Sequence, residues 1–130
     1  MEVRVAVLAD AANVAAPGKL NVLGVFDTLT ANRFPTLHPA MALVLRYRVD
    51  YEDAKKTHSL RVTFRDEDGK EIGGAAAKVE IGEIAPGAFG HDNQILNFAG
   101  IQFAKEGHYV FEIFWDEKSN QACFWSLTKK

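Results

Sequence analysis

Apolar residues recur at every second position over much of this chain, and that period narrows the possible folds more than any other feature. Val3, Val5 and Val7 alternate with Glu2, Arg4 and Ala6, and Met41, Leu43, Leu45, Tyr47 and Val49 keep one parity over nine residues. Leu60, Val62 and Phe64 alternate with Arg61, Thr63 and Arg65; Tyr109, Phe111, Ile113 and Trp115 share one face, and Cys123, Trp125 and Leu127 follow. Successive side chains of a strand point to opposite faces, so each run reads as a strand with one face on a core. Weaker strands are expected at Leu20 to Leu29, Glu71 to Ile81 and Gln94 to Phe103, about eight in all, with room for a helical turn only at Asp10 to Ala16. Short, closely spaced strands predict an all-β, antiparallel sandwich, immunoglobulin-like in general architecture and built as one domain over residues 1–130.

Turn residues sharpen two pairings. In RDEDGKE, Gly69 suits the left-handed position after a type I turn, so Glu67 to Gly69 would form the loop and set Phe64 opposite Ile72. A left-handed Asn120 would make Lys118 to Asn120 the last loop, pairing Trp115 with Cys123, Ile113 with Trp125 and Phe114 with Phe124. Gly107 stands two residues before Tyr109 at a strand entrance, the arrangement of a tyrosine corner, in which the hydroxyl bonds back to nearby backbone. The segment ADAANVAAPG is expected to connect Val3–Val7 to Leu20–Phe26, with Gly24 marking a bulge after which Phe26 turns inward.

Ala9-Asp10, Asn13, Gly18-Lys19-Leu20-Asn21, Gly24 and Phe26-Asp27, followed by Phe34-Pro35 and His38-Pro39, form a pattern over the first forty residues. This pattern resembles a family of small bacterial proteins classed as a domain of unknown function. The resemblance implies a compact, mostly β domain and carries over no catalytic residue.

Motifs for chemistry fail on spacing. A phosphate-binding loop ending at Gly18-Lys19 would need Gly at position 13 and Ser or Thr at position 20, where Asn13 and Leu20 stand. A calcium loop with Gly69 sixth would place Phe64 and Ala75 where oxygen ligands belong. His38, His58, His91 and His108 are scattered without metal-ligand spacing, and no nucleophile elbow surrounds Ser59, Ser119 or Ser126. No catalytic group, cofactor or metal is therefore expected. Fifteen basic and seventeen acidic residues leave a net charge of −2, which favours no partner class. With one cysteine, Cys123, and no apolar run near the ~20 residues of a membrane span, the chain reads as soluble and cytoplasmic.

Three surfaces remain. Arg46 and Arg48 on one strand and Arg61 and Arg65 on the next would form a basic patch if those strands pair, though without the interleaved aromatics that favour nucleic acid. The last hairpin is apolar on both faces, so Val110, Phe114 and Phe124 need cover from the 82–93 loop through Phe89, from a second subunit in a homo-oligomer, or from a ligand. This face makes a non-enzymatic interaction or scaffold domain the leading expectation. The alternative is a small-molecule-binding or hydrolytic site formed at one end of the sandwich by Asp10, Asn13, Lys19, Asn21, Asp27 and His38.

Overall fold

The computed structural model describes residues 1–130. Nine strands occur: β1 Glu2–Ala15, β2 Lys19–Phe26, β3 Thr28–Ala31, β4 Thr36–Asp50, β5 Lys56–Asp66, β6 Glu71–Ile81, β7 Phe89–Phe103, β8 Gly107–Trp115 and β9 Lys118–Lys129. They form a sandwich of a four-stranded sheet, in the order β2-β1-β4-β7, and a five-stranded sheet, in the order β3-β9-β8-β5-β6. All neighbours are antiparallel except β3 and β9, which run parallel. The only helical element is a 3-10 turn at Tyr51–Asp53, and no helix is long and apolar enough to cross a membrane.

The alternating residues meet between the sheets as expected. Met41, Leu43, Leu45, Tyr47 and Val49 face Leu60, Val62, Phe64, Phe111 and Ile113 in one buried cluster. Phe64 stacks on Phe111 at 4.4 Å between ring centres, and Phe103, Tyr109 and Trp125 close the same end of the core. The Tyr109 hydroxyl donates to the Lys105 carbonyl at 2.6 Å, so the expected corner is present. At the opposite end Tyr47 packs on Trp115 and donates its hydroxyl to the Asp92 carboxylate at 2.8 Å. Burial, followed by that bond, pushes the Tyr47 phenol well above its ordinary range.

The N-terminal stretch differs from expectation. Asp10 to Ala16 contains no helical turn and is not a connection, because β1 continues to Ala15 and pairs with β2 down to Ala15 opposite Lys19. Pairing of β1 with β4 ends at Ala9 opposite Ala42, and beyond it the β1–β2 hairpin folds back over the outer face of the four-stranded sheet. There Ala12, Leu20 and Val22, with Ile95, pack on Ala9, Ala42 and Val44, and Asn93 donates to the Gly18 carbonyl at 3.3 Å. The run Met41–Leu45 is thus buried on both faces, which explains why it has no polar residue. The bend lies at Gly24, whose φ is 72°, but the β1–β2 register is unshifted there, so it is not a bulge. A Cβ at Gly24 would run into the Asp10 carboxylate.

Two registers also differ. Gly69, at φ 81°, closes the expected loop after Asp66, but a bulge beside Arg65 sets Phe64 opposite Gly73 instead of Ile72. The β8–β9 loop is not Lys118 to Asn120; it is the pair Asp116-Glu117, both left-handed at φ 49° and 66°. Phe111 consequently pairs with Cys123, Tyr109 with Trp125 and Val110 with Phe124.

Candidate interaction surface

The β8–β9 register is held from outside the hairpin. The Asp116 N–H donates to the Ser59 carbonyl at 2.9 Å, and its carboxylate accepts from the Ser59 N–H at 3.0 Å. The other carboxylate oxygen lies 2.7 Å from Nδ1 of His58, whose Nε2 lies 2.8 Å from the Asp53 carbonyl and whose ring stacks on Trp115 at 4.6 Å. Both ring nitrogens face oxygens that can only accept, so each carries a hydrogen and the favoured species is imidazolium. Burial opposes that charge, yet the bonds to Asp116 and Asp53 outweigh it and hold the His58 pKa above its ordinary value. The same bond to His58 holds the Asp116 carboxyl below the usual carboxylate range. Motif spacing missed this pair, whose one signal was His58 sharing the inward parity of Leu60, Val62 and Phe64.

With that register the expected apolar face divides. Phe114 lies opposite Ser119 on β9 and Arg61 on β5, and the Arg61 guanidinium covers its ring at 4.1 Å from the centre. Phe124 lies opposite Val110, four residues farther along, and is 74% exposed. Phe89 does not cover it, because Phe89 belongs to β7 in the other sheet and packs under Arg48 at 4.2 Å.

Phe124 borders a groove of about 310 Å³ lined mainly by Ala6, Leu8, Val25, Phe26 and Cys123. Burial pushes the Cys123 thiol up. The groove follows from the way the chain changes sheets: β2 ends at Phe26 in one, and β3 begins at Thr28 in the other. Strand β3 covers β9 only from Ser126 onward, with the Ser126 N–H donating to the Asp27 carbonyl at 2.9 Å. Backbone groups alternate sides along a strand, so those of Ala122 and Phe124 face the same margin as Ser126 with no strand beside them.

The polar residues of the alternative site spread along the folded-back hairpin and the sheet crossing. Asn13 and Asn21 do meet, with Asn21 Nδ2 donating to Asn13 Oδ1 at 2.9 Å. Asp10 lies against Gly24, Lys19 is exposed opposite Ala15, Asp27 stands at the crossing, and His38 on β4 meets the Phe26 ring edge-on at 6.5 Å. None of these four is hydrogen-bonded to another member of the set. A recess of about 690 Å³ contains none of the six; it lies between Tyr51 and Pro86, where Lys55 pairs with Glu83 at 3.2 Å.

The four-arginine patch does not form, because β4 and β5 belong to different sheets. Arg46 bonds Asn93 and Arg48 pairs with Asp50 on the outer side of one sheet. Arg61 pairs with Glu117, and Arg65 donates to the Gly69 carbonyl on the other.

No curated protein matches the chain. A solved structure of the Pseudomonas fluorescens alkylpurine DNA glycosylase AlkC, bound to DNA containing an abasic site analog, is similar in fold at a TM-score of 0.52 and 8% identity. That likeness covers 98% of this chain and 30% of the glycosylase chain, so this chain spans about a third of its length. A family model matches residues 4–124, in agreement with the pattern of the first forty residues, and the chain belongs to DUF6941, a family of unknown function.

Proposed function

We propose that the protein is a non-enzymatic interaction domain that works through the margin around Phe124. The observation that carries this reading is an aromatic ring 74% exposed beside an apolar groove and an unpaired stretch of strand. Exposed apolar surface is costly to leave facing water and a row of unpaired main-chain groups is a template for another strand, so both features favour a protein partner. Phe114 drops out of the expected surface because Arg61 covers it, while Val110 stays as the neighbour of Phe124. A cytoplasmic setting fits a chain whose one thiol is half-buried and unpaired. The AlkC structure contains DNA, but here the arginines lie on opposite faces, so nucleic acid is not the partner we propose.

The test is site-specific photo-crosslinking in cells, with benzoylphenylalanine at position 124 and, as control, at Leu37, which is 62% exposed elsewhere. Discrete adducts from position 124 and none from position 37 are expected. No adduct, or the same adducts from both positions, would remove the reading.

A further inference from the structure

The margin of β9 also specifies what kind of segment it can hold. Upstream of Ser126 the backbone N–H and C=O groups of Ala122 and Phe124 have no strand beside them, and such a row is a ready template for another extended backbone. Natural sheets guard open edges with charge or proline, yet Ser119 to Thr128 contains neither. Along this edge lies the apolar groove under Phe26 and Leu8, with Phe124 at its border. The groove's one charge is the Asp27 carboxylate at the end where β3 begins, and it accepts only a long 3.4 Å bond from the Thr28 hydroxyl.

Resting on the interaction reading above, we propose that β9 accepts an extended peptide segment of a partner protein as an added strand. That segment is apolar at alternate positions and basic at the end that reaches Asp27. Alternate side chains enter the groove and flank Phe124, its backbone pairs with Ala122 and Phe124, and the basic residue meets the Asp27 carboxylate. A second copy fits less well. Symmetric pairing centred on Ala122 would set Ser126 of one copy opposite Lys118 of the other, so that β3 of the first meets the Asp116-Glu117 turn of the second. The free edge from Ser119 to Trp125 spans roughly 23 Å at ~3.3 Å per residue, a short seam for the 1,200–2,000 Å² of a stable interface.

The probes are capped heptapeptides of alternating Val and Thr with Lys at the first or the last position, added to the isotope-labelled protein. Shifts and slowed hydrogen exchange are expected at the Ala122 and Phe124 amides. One Lys placement should bind about two- to fivefold more tightly than the other, as one exposed ion pair allows, and Asp27→Asn should erase that preference. Ala122→Pro removes an N–H that no strand uses, so it should fold and lose the binding, as should Phe124→Asp. No response of these amides to either peptide at millimolar concentration, or equal binding of both, overturns the proposal. Protection of the same amides in the protein alone, rising with its concentration and mass, overturns it in favour of a second copy. Crosslinks at position 124 without any peptide response would sink strand addition and leave the interaction reading standing.

Discussion

Raising the pH should weaken the protein through His58, a residue 5% exposed whose ring is held between the Asp116 carboxylate and the Asp53 carbonyl. The folded-state pKa lies above the ordinary 6.5, so the stabilisation is fully present below 6.5 and is lost as pH rises through the folded value. On the acid side, Asp116 has a depressed pKa; its contribution is present above 3.8 and disappears as pH falls through the folded value. Deprotonating His58 leaves one ring nitrogen with a lone pair facing an acceptor. The loss is that of one charge-assisted hydrogen bond, about 1.5–3 kcal/mol, and the half-exposed carboxylate favours the lower figure. About 1.5 kcal/mol is roughly a tenfold change in the folding equilibrium. In Asp116→Asn a neutral ring fits, with Nε2–H donating to Asp53 and Nδ1 accepting from the amide. Urea unfolding of both proteins from pH 5.5 to 9 should therefore show wild type losing its advantage over the variant as pH rises. A pH-independent difference, or a His58 ring signal titrating below 6.5, would refute the two-acceptor reasoning.

Gly24→Ala should destabilise the fold by about 2 kcal/mol, since it meets a left-handed φ and the Asp10 carboxylate, and adding Asp10→Ala should restore part of the loss in thermal unfolding. Val22→Asp should cost about 1–2 kcal/mol and increase binding of an apolar dye by lifting the hairpin from Ala42 and Val44; unchanged dye binding would mean the hairpin is no cover. Phe114→Glu should stay folded, losing about 1 kcal/mol of contact with Arg61, whereas global unfolding would place Phe114 in the core. Tyr109→Phe should cost about 1–1.5 kcal/mol in denaturant unfolding by orphaning the Lys105 carbonyl, and an unchanged midpoint would show that the corner bond is unimportant.

The fold was legible where local sequence and tertiary burial impose the same period. β5 and β8 alternate because one face of each meets the core, and so does β4 from Leu45 to Val49; Gly107 with Tyr109 marks a corner whose bond spans four residues. The folded-back hairpin was not legible in ADAANVAA, a stretch of small residues with no clear period. Its trace lay in another strand, in the apolar Ala42 and Val44 between the inward residues of β4. The last hairpin was misread because its turn is fixed by Ser59 and His58, fifty-seven and fifty-eight residues away, rather than by the local preference of Asn120. That one register error moved Phe124 from beside Phe114 to beside Val110, and so relocated the candidate site. The groove depends on the change of sheet at Asp27, which pairs distant segments and leaves no local pattern.

The parallel pairing of β3 with β9 also bears on the order of events during synthesis. Thr128 reaches the Leu29 carbonyl across 99 residues, so this edge cannot close until β9 has emerged. Until then Phe64, Phe103 and Tyr109 lack the indole of Trp125 that completes their end of the core. High sequence separation slows folding and prolongs exposure of such surface. The nascent protein therefore passes through a stage in which its most aromatic region is open, and β9 acts as the latch that ends it.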